Sequence, residues 1–231
     1  MKNILARGGV EFLAVFLGIG LSLWIDETQK SKDAKELNYQ ILNRLYDNLE
    51  ADSIDGVWNY KAHDTVVRGS KRVLSWCNNG QPDSDSIDIF LSSLGISTVF
   101  VNNMEEYNAL KSSGRMELIK DEVLVKFLHD YYTNVEWVKS GDKAVQDYVM
   151  GQFFPFMADY SDYYGIDKSR NVYDNTYAVF HLLDNPPKEK LGYHASMINT
   201  NSMFISAIYK DLVSKVTAIR RMIRIEIKQS I

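Results

Sequence analysis

Between Val10 and Ile25 the chain reads VEFLAVFLGIGLSLWI, an apolar run whose single charge is Glu11. Extended back to Ile4, the run covers 22 residues. A helix rises about 1.5 Å per residue, so about 20 residues cross a hydrocarbon layer about 30 Å thick. The length predicts a transmembrane helix within residues 1–26. A cleavable leader would close on a small-x-small site, whereas this run ends Leu23-Trp24-Ile25-Asp26. Trp24 stands where an interfacial aromatic belongs, directly ahead of Asp26 and Glu27. We read an uncleaved anchor. A buried core helix would tolerate the same apolar run but accounts less well for its terminal position.

Small side chains recur on this helix at Ala14, Gly18 and Ser22, one above another at four-residue steps. Such stripes let helix backbones approach closely in lipid. At 100° per residue, Glu11 falls about 20° from both Gly18 and Ser22 and shares their face. A carboxylate there is costly unless paired or hydrated. Either Glu11 reaches the headgroups, or Glu11, Ala14, Gly18 and Ser22 meet another transmembrane helix. Lys2 and Arg7 lie before the span and Lys30, Lys32 and Lys35 soon after it, so basic residues do not decide orientation. A short basic N-terminus ahead of a long body is a signal-anchor arrangement, which puts residues 27–231 outside the cytoplasm.

The body reads as all-α. The chain has only 13 Gly and 4 Pro, and few turn-formers over such a length favour long helices. Leu37, Ile41, Leu45 and Leu49 keep a four-residue step, with Leu42 and Tyr46 beside them, predicting a helix over 27–60 that continues the anchor. A second helix is expected over 62–77, ended by Asn78-Asn79-Gly80-Gln81-Pro82-Asp83, and a short third over 84–94, closed by Gly95. Ser97 to Val101 is β-branched and aromatic but too short and partnerless for a strand, and reads as loop. Helices are then expected over 103–113 and 120–154, the latter with Val123, Phe127, Tyr131, Val135 and Val138 on its apolar face and Pro155 as its limit. The last, over 195–229, carries Ile205, Ile208, Leu212, Val216, Ile219, Ile223 and Ile227 on one face. The expected architecture is a transmembrane helix continuing into an antiparallel helical bundle.

Charge pairs the first and last of these helices. Residues 26–55 carry eight acids and four bases, whereas 210–231 carry six bases and two acids. Arg220, Arg224 and Lys228 stand four residues apart, a row that faces the acidic helix, an anionic membrane surface or simply solvent. The net charge of −4 gives no basic domain of the kind nucleic-acid binders show.

Two segments carry a resemblance. VEFLAVFLGIGLSLWIDETQKSKDAKE, and the stretch EYNALKSSGRMELIKDEVLVKFLHDYY from Glu106 to Tyr132, resemble the two signatures of a family of bacterial single-pass membrane proteins known only as a domain of unknown function. The second signature is an aromatic residue before a Leu-Lys-Ser-Ser-Gly turn, leading into a helix that ends in paired tyrosines. The resemblance implies a helical protein of the bacterial inner membrane and supplies no activity. Physically, Leu110 to Gly114 reads as a helix C-terminus closed by a left-handed glycine, a structural corner in preference to a binding loop.

Chemistry-bearing patterns are sparse. His63, His129, His181 and His194 have no metal-ligand spacing, and the lone Cys77 makes no cysteine zinc site or intrachain disulfide. No nucleophile elbow, P-loop or dinucleotide fingerprint occurs, and we assign no catalytic, cofactor or metal residue. Tyr160, Tyr163, Tyr164 and Tyr173, set among aspartates whose spacing does not fit a calcium loop, are a candidate interaction surface. The expected function is a non-enzymatic accessory or scaffold subunit of a membrane complex, whose partners are other transmembrane subunits, a second copy or membrane lipid. A ligand-sensing domain and an unrecognised enzyme are the alternatives.

Overall fold

The computed structural model describes residues 2–79, 84–163, 180–182 and 187–230, with side chains over 13, 15–79, 87–161, 182 and 187–228. One helix, α1 (Lys2–Asn79), spans 78 residues. It is followed by α2 (Ser84–Leu94), α3 (Glu105–Ser113), a 3-10 turn (Arg115–Leu118) and α4 (Glu122–Tyr148). A π-helical turn (Val149–Phe153) then leads into α5 (Phe154–Tyr160), two three-residue antiparallel strands β1 (Ser161–Tyr163) and β2 (Phe180–Leu182), and α6 (Lys188–Ser230). The body is a helical bundle, as its composition predicts.

Burial on the three long helices follows a seven-residue repeat. On α1 the buried positions run Asn38, Leu42, Leu45, Leu49, Asp52, Gly56, Asn59, His63, Val66, Ser70 and Val73, alternating steps of four and three. α6 repeats the alternation from Leu191 through Ala195, Ile198 and Ser202 to Val216, Ile219, Ile223 and Glu226. α4 does so from Leu124 to Val149. A 3.5-residue period keeps one seam facing its neighbour and imposes left-handed supercoiling. Asp52 meets Tyr131 and His63 meets Asp142, so α1 and α4 run in the same direction. Ser70 bonds Asn199 and Glu50 bonds Arg220, so α6 runs antiparallel to α1.

The return path between α1 and α4 is α2, an extended strap over 96–104, and α3. Gly69 on α1 lies against Phe90 and Ser93, Thr98 against His63, and Glu106 against Arg44. The strap thus descends beside α1 in the opposite direction. The result is an up-down-up-down bundle whose second member is helical only at its two ends.

Several boundaries differ from the sequence expectation. No break separates 27–60 from 62–77, because Tyr60-Lys61-Ala62 contains no helix breaker and the buried seam runs straight through it. Pro155 does not end the helical path: it occupies the first turn of α5, where its missing N–H is harmless. On α4, Val123 and Phe127 are exposed, and the seam runs instead through Leu124 and Leu128. α6 begins seven residues before the expected Ala195. The loop over 97–101 is as expected.

The described side chains of α1 from Leu13 to Glu27 stand clear of the bundle. Among the described residues, no helix is long and apolar enough to cross a membrane. Apolar described side chains begin at Leu13 and end at Ile25, about 20 Å of helix against a hydrocarbon layer of about 30 Å. The rest of the 22-residue run, Ile4 to Phe12, lies outside the described side chains.

Gly114 closes α3 at φ 70°, ψ 11°, with its N–H donated to Leu110 O. Gly114→Ala is therefore expected to destabilise the bundle by about 1–2 kcal/mol through left-handed strain alone, read as a lower urea midpoint with an unchanged m-value.

Candidate functional site

Two features stand out from the bundle: the bare apolar stalk at its base and a polar layer buried at its centre. On the stalk Leu17 is 57% exposed and Trp24 64%, and every described apolar side chain from Leu13 to Ile25 is comparably bare. The exposure is all round the helix and not one-sided. A helix apolar on every face is one that lipid or protein covers. Of the expected contact residues, Gly18 and Ser22 are exposed and a Cβ at Gly18 would meet nothing within 4 Å. The side chains of Glu11 and Ala14 lie outside the described residues.

Two of the three expected basic residues of α6, Arg220 and Arg224, turn toward α1. Arg220 donates to Glu50 at 2.6 Å, and the guanidinium groups of Arg220 and Arg224 lie 4.3 and 4.9 Å from the centroid of the Tyr46 ring. Lys228 is exposed. Of the tyrosines, Tyr160 is half-buried with its ring 5.0 Å from Phe156. Tyr163 lies on β1 with its side chain outside the described residues, and Tyr164 and Tyr173 lie outside them entirely.

The central layer was not expected from sequence. Bundle packing around an extended strap leaves backbone N–H groups without helical partners, and each such buried group costs about 1–3 kcal/mol if unpaired. Three aspartates accept them. Phe100 N donates to Asp142 Oδ2 at 2.9 Å, Val101 N to Asp55 Oδ2 at 3.0 Å and Asn103 N to Asp52 Oδ1 at 2.8 Å. The carboxylates are held in turn. Tyr131 OH donates to Asp52 at 2.7 Å, Tyr209 OH to Asp142, and Asn59 Nδ2 to Asp55 at 2.8 Å. His63 Nε2 lies 3.1 Å from Thr98 Oγ1 and 3.8 Å from Asp142 Oδ1. Tyr132, the second tyrosine of the pair ending the Glu106–Tyr132 segment, stacks on Tyr107 at 4.2 Å and donates to Asn103 O. Both paired tyrosines thus hold the lower end of the strap.

Burial pushes Asp52 up from 3.8 to about 6, with its hydrogen bonds to Tyr131 and Asn103 opposing the shift. Asp55 is raised for the same first reason, and the Tyr131 and Tyr209 hydroxyls are raised by burial and by the carboxylates they contact. His63 and Asp142 are each 1% exposed, so no substrate reaches them and the arrangement is a latch. Among the described residues no group of three or more His, Cys, Asp or Glu side chains is placed to hold a metal. The sequence signal for the latch was the seven-residue spacing of Asn38, Leu45, Asp52, Asn59, Val66 and Val73, half of whose members are polar.

No protein-family model, no curated protein and no solved structure matches the chain.

Two outcomes test the latch. Asp142→Ala leaves Phe100 N–H and the Tyr209 hydroxyl buried and unpaired, and is expected to cost about 2–6 kcal/mol in urea unfolding. Asp52 has its folded value above its unfolded one, so the folded state holds the proton more tightly. Its contribution favours folding below pH 3.8 and is lost as pH rises through about 6. Asp52→Asn is expected to flatten that part of the stability profile measured across this window.

Proposed function

We propose that the chain is a non-enzymatic, membrane-anchored accessory or scaffold protein of the bacterial inner membrane, its bundle projecting on the periplasmic side. The observation that carries this reading is the stalk: from Leu13 to Ile25 apolar side chains are exposed around the whole helix, and no bundle residue covers them. Surface of that kind is unstable in water and is satisfied by lipid or by apolar helices of a partner. The stretch from Ile4 to Phe12, whose backbone belongs to α1, carries Ile4, Leu5, Ala6, Val10 and Phe12 beside Arg7 and Glu11, and would lengthen the run to a full span. The non-enzymatic part is supported by the inaccessibility of the His63–Asp142 pair, the one His–carboxylate contact among the described residues.

The small-residue face adds the accessory role. Gly18 and Ser22 give a second transmembrane helix a close approach, and Glu11 on the same face is stabilised there by a hydrogen bond or an opposite charge. The partner on this reading is another transmembrane subunit or a second copy.

The full chain is expected to stay with membranes through alkaline carbonate washing and to float with liposomes. Release into the supernatant would refute the anchor. Native mass spectrometry of gently extracted protein is expected to show a stoichiometric partner or dimer that Glu11→Leu loses. A monomer in both samples would sink the accessory role while leaving the anchor standing.

A further inference from the structure

α4 and α6 each carry a second seven-residue repeat, one residue ahead of the buried one. On α4 it runs Val123, Phe127, Asp130, Asn134 and Trp137, and on α6 Phe204, Ile208, Asp211, Lys215, Ala218 and Met222, with Ile225 next. In antiparallel helices the flanks on the same side of two facing seams lie opposite each other, so both repeats border one groove. Two clefts of about 300 and 320 Å³ open along it and meet at Asn134 and Lys215. The groove is banded. Toward the far end of the bundle the Trp137 and Phe204 rings, 55% and 57% exposed, meet edge to face at 5.7 Å. Toward the stalk Val123, Phe127 and Ile225 are exposed. Between these apolar bands lie Asp130, Asn134, Asp211 and Lys215. Lys215 pairs with Asp211 at 2.7 Å on its own helix, whereas Asp130 is exposed and has no ion pair among the described residues.

We propose that this groove is the interface between two copies of the chain, packed about a two-fold axis parallel to the helices. Such an axis sets α4 of one copy beside α6 of the other, antiparallel and at the same level, as α4 and α6 already lie within each copy. Each band then meets its match. Trp137 meets Phe204 of the partner subunit, Val123 and Phe127 meet the partner's Met222 and Ile225, and Asp130 meets the partner's Lys215. Asp130 supplies the charge argument: an unpaired acid on α4, level with a lysine on α6, makes the face complementary to a copy of itself. A foreign helix would need its own base set between two apolar turns to fit equally. The exposed aromatic pair has the make-up of an interface anchor, since tryptophan and phenylalanine are enriched in interface cores. The inference takes the second-copy form of the partner proposed above. Only the parallel sense of the axis rests on the anchor, because two stalks in one membrane point the same way.

Crosslinking of the full chain tests this, with two differently tagged forms co-expressed in a Cys77→Ser background and treated with a short bismaleimide. Trp137→Cys in one form is expected to crosslink to Phe204→Cys in the other, and not to Ile225→Cys. In a detergent dilution series read by native mass spectrometry, Trp137→Asp is expected to raise the dimer dissociation constant about tenfold or more, as loss of an aromatic anchor does. Asp130→Lys, which sets base against base, is expected to raise it by a similar factor. Both positions are exposed, so the urea midpoint is expected to stay unchanged and to show that folding is intact. The inference is overturned if no crosslink joins two copies, if Trp137→Cys reacts with Ile225→Cys instead, or if neither substitution weakens the dimer. A stoichiometric partner of another sequence seated on this face would also overturn it, while upholding the accessory role. Carbonate washing reads the anchor independently, so a monomer that resists the wash sinks the dimer and leaves the anchor standing.

Discussion

Three carboxylates hold the strap that lets this chain close as a bundle. Asp52 and Asp55 on α1 and Asp142 on α4 accept the amides of Asn103, Val101 and Phe100; the Phe100 N–H is buried and would be bare without Asp142, the Asn103 N–H is half-buried, and the Val101 bond lies at the surface. Two of them, Asp52 and Asp142, also tie α1 to α4 through Tyr131 and His63, and Asp142 ties α4 to α6 through Tyr209. Every long helix is therefore fastened to one layer. Burying acids there is unfavourable, as the upward shift of Asp52 records, and the surrounding hydroxyl and amide donors offset it.

Around that layer the packing is ordinary coiled-coil geometry. α1, α4 and α6 keep alternating four- and three-residue steps for most of their bundle-facing length, and the π-helical turn Val149–Phe153 comes where the α4 seam passes into α5. Above and below the polar layer the seams are mostly aliphatic: Leu42, Leu45 and Leu49 with Val216, Ile219 and Ile223 toward the stalk, and Val66 and Val73 with Leu191, Ala195 and Ile198 at the far end, where Ser70 and Ser202 also lie on the seam. The polar layer fixes which positions face one another, since a one-step slip would part Asp52 from Tyr131 and Asp142 from Phe100 N. A purely aliphatic seam would not discriminate so sharply.

Much of the fold was legible in the sequence. The apolar periodicity of Ile41, Leu45 and Leu49, and of Leu212, Val216, Ile219 and Ile223, marks real core, and Gly114 closes a helix in the left-handed conformation that its place after Leu-Lys-Ser-Ser implied. The opposite charge of 26–55 and 210–231 is compatible with side-by-side packing of these helices, and the structure makes that contact in the Glu50–Arg220 pair. The polar layer was not legible. Reading hydrophobicity alone, Asp52, Asn59 and His63 look like solvated positions that interrupt a stripe, although they lie on the seven-residue repeat itself.

The chain by itself determined that it would be helical, that its helices would be long, and that residues 10–25 would be almost wholly apolar. These follow from local composition and spacing, which act over a few residues. Only the tertiary structure decided which polar residues are buried, because an aspartate is stable inside a bundle only when N–H and O–H donors from distant segments converge on it. Asp142 finds its donors at Phe100 and Tyr209, 42 and 67 residues away. The cleft at the base of the bundle, lined by Ser31, Lys35, Glu117 and Lys120, has the same origin, since no local rule brings residues 31–35 and 117–120 together.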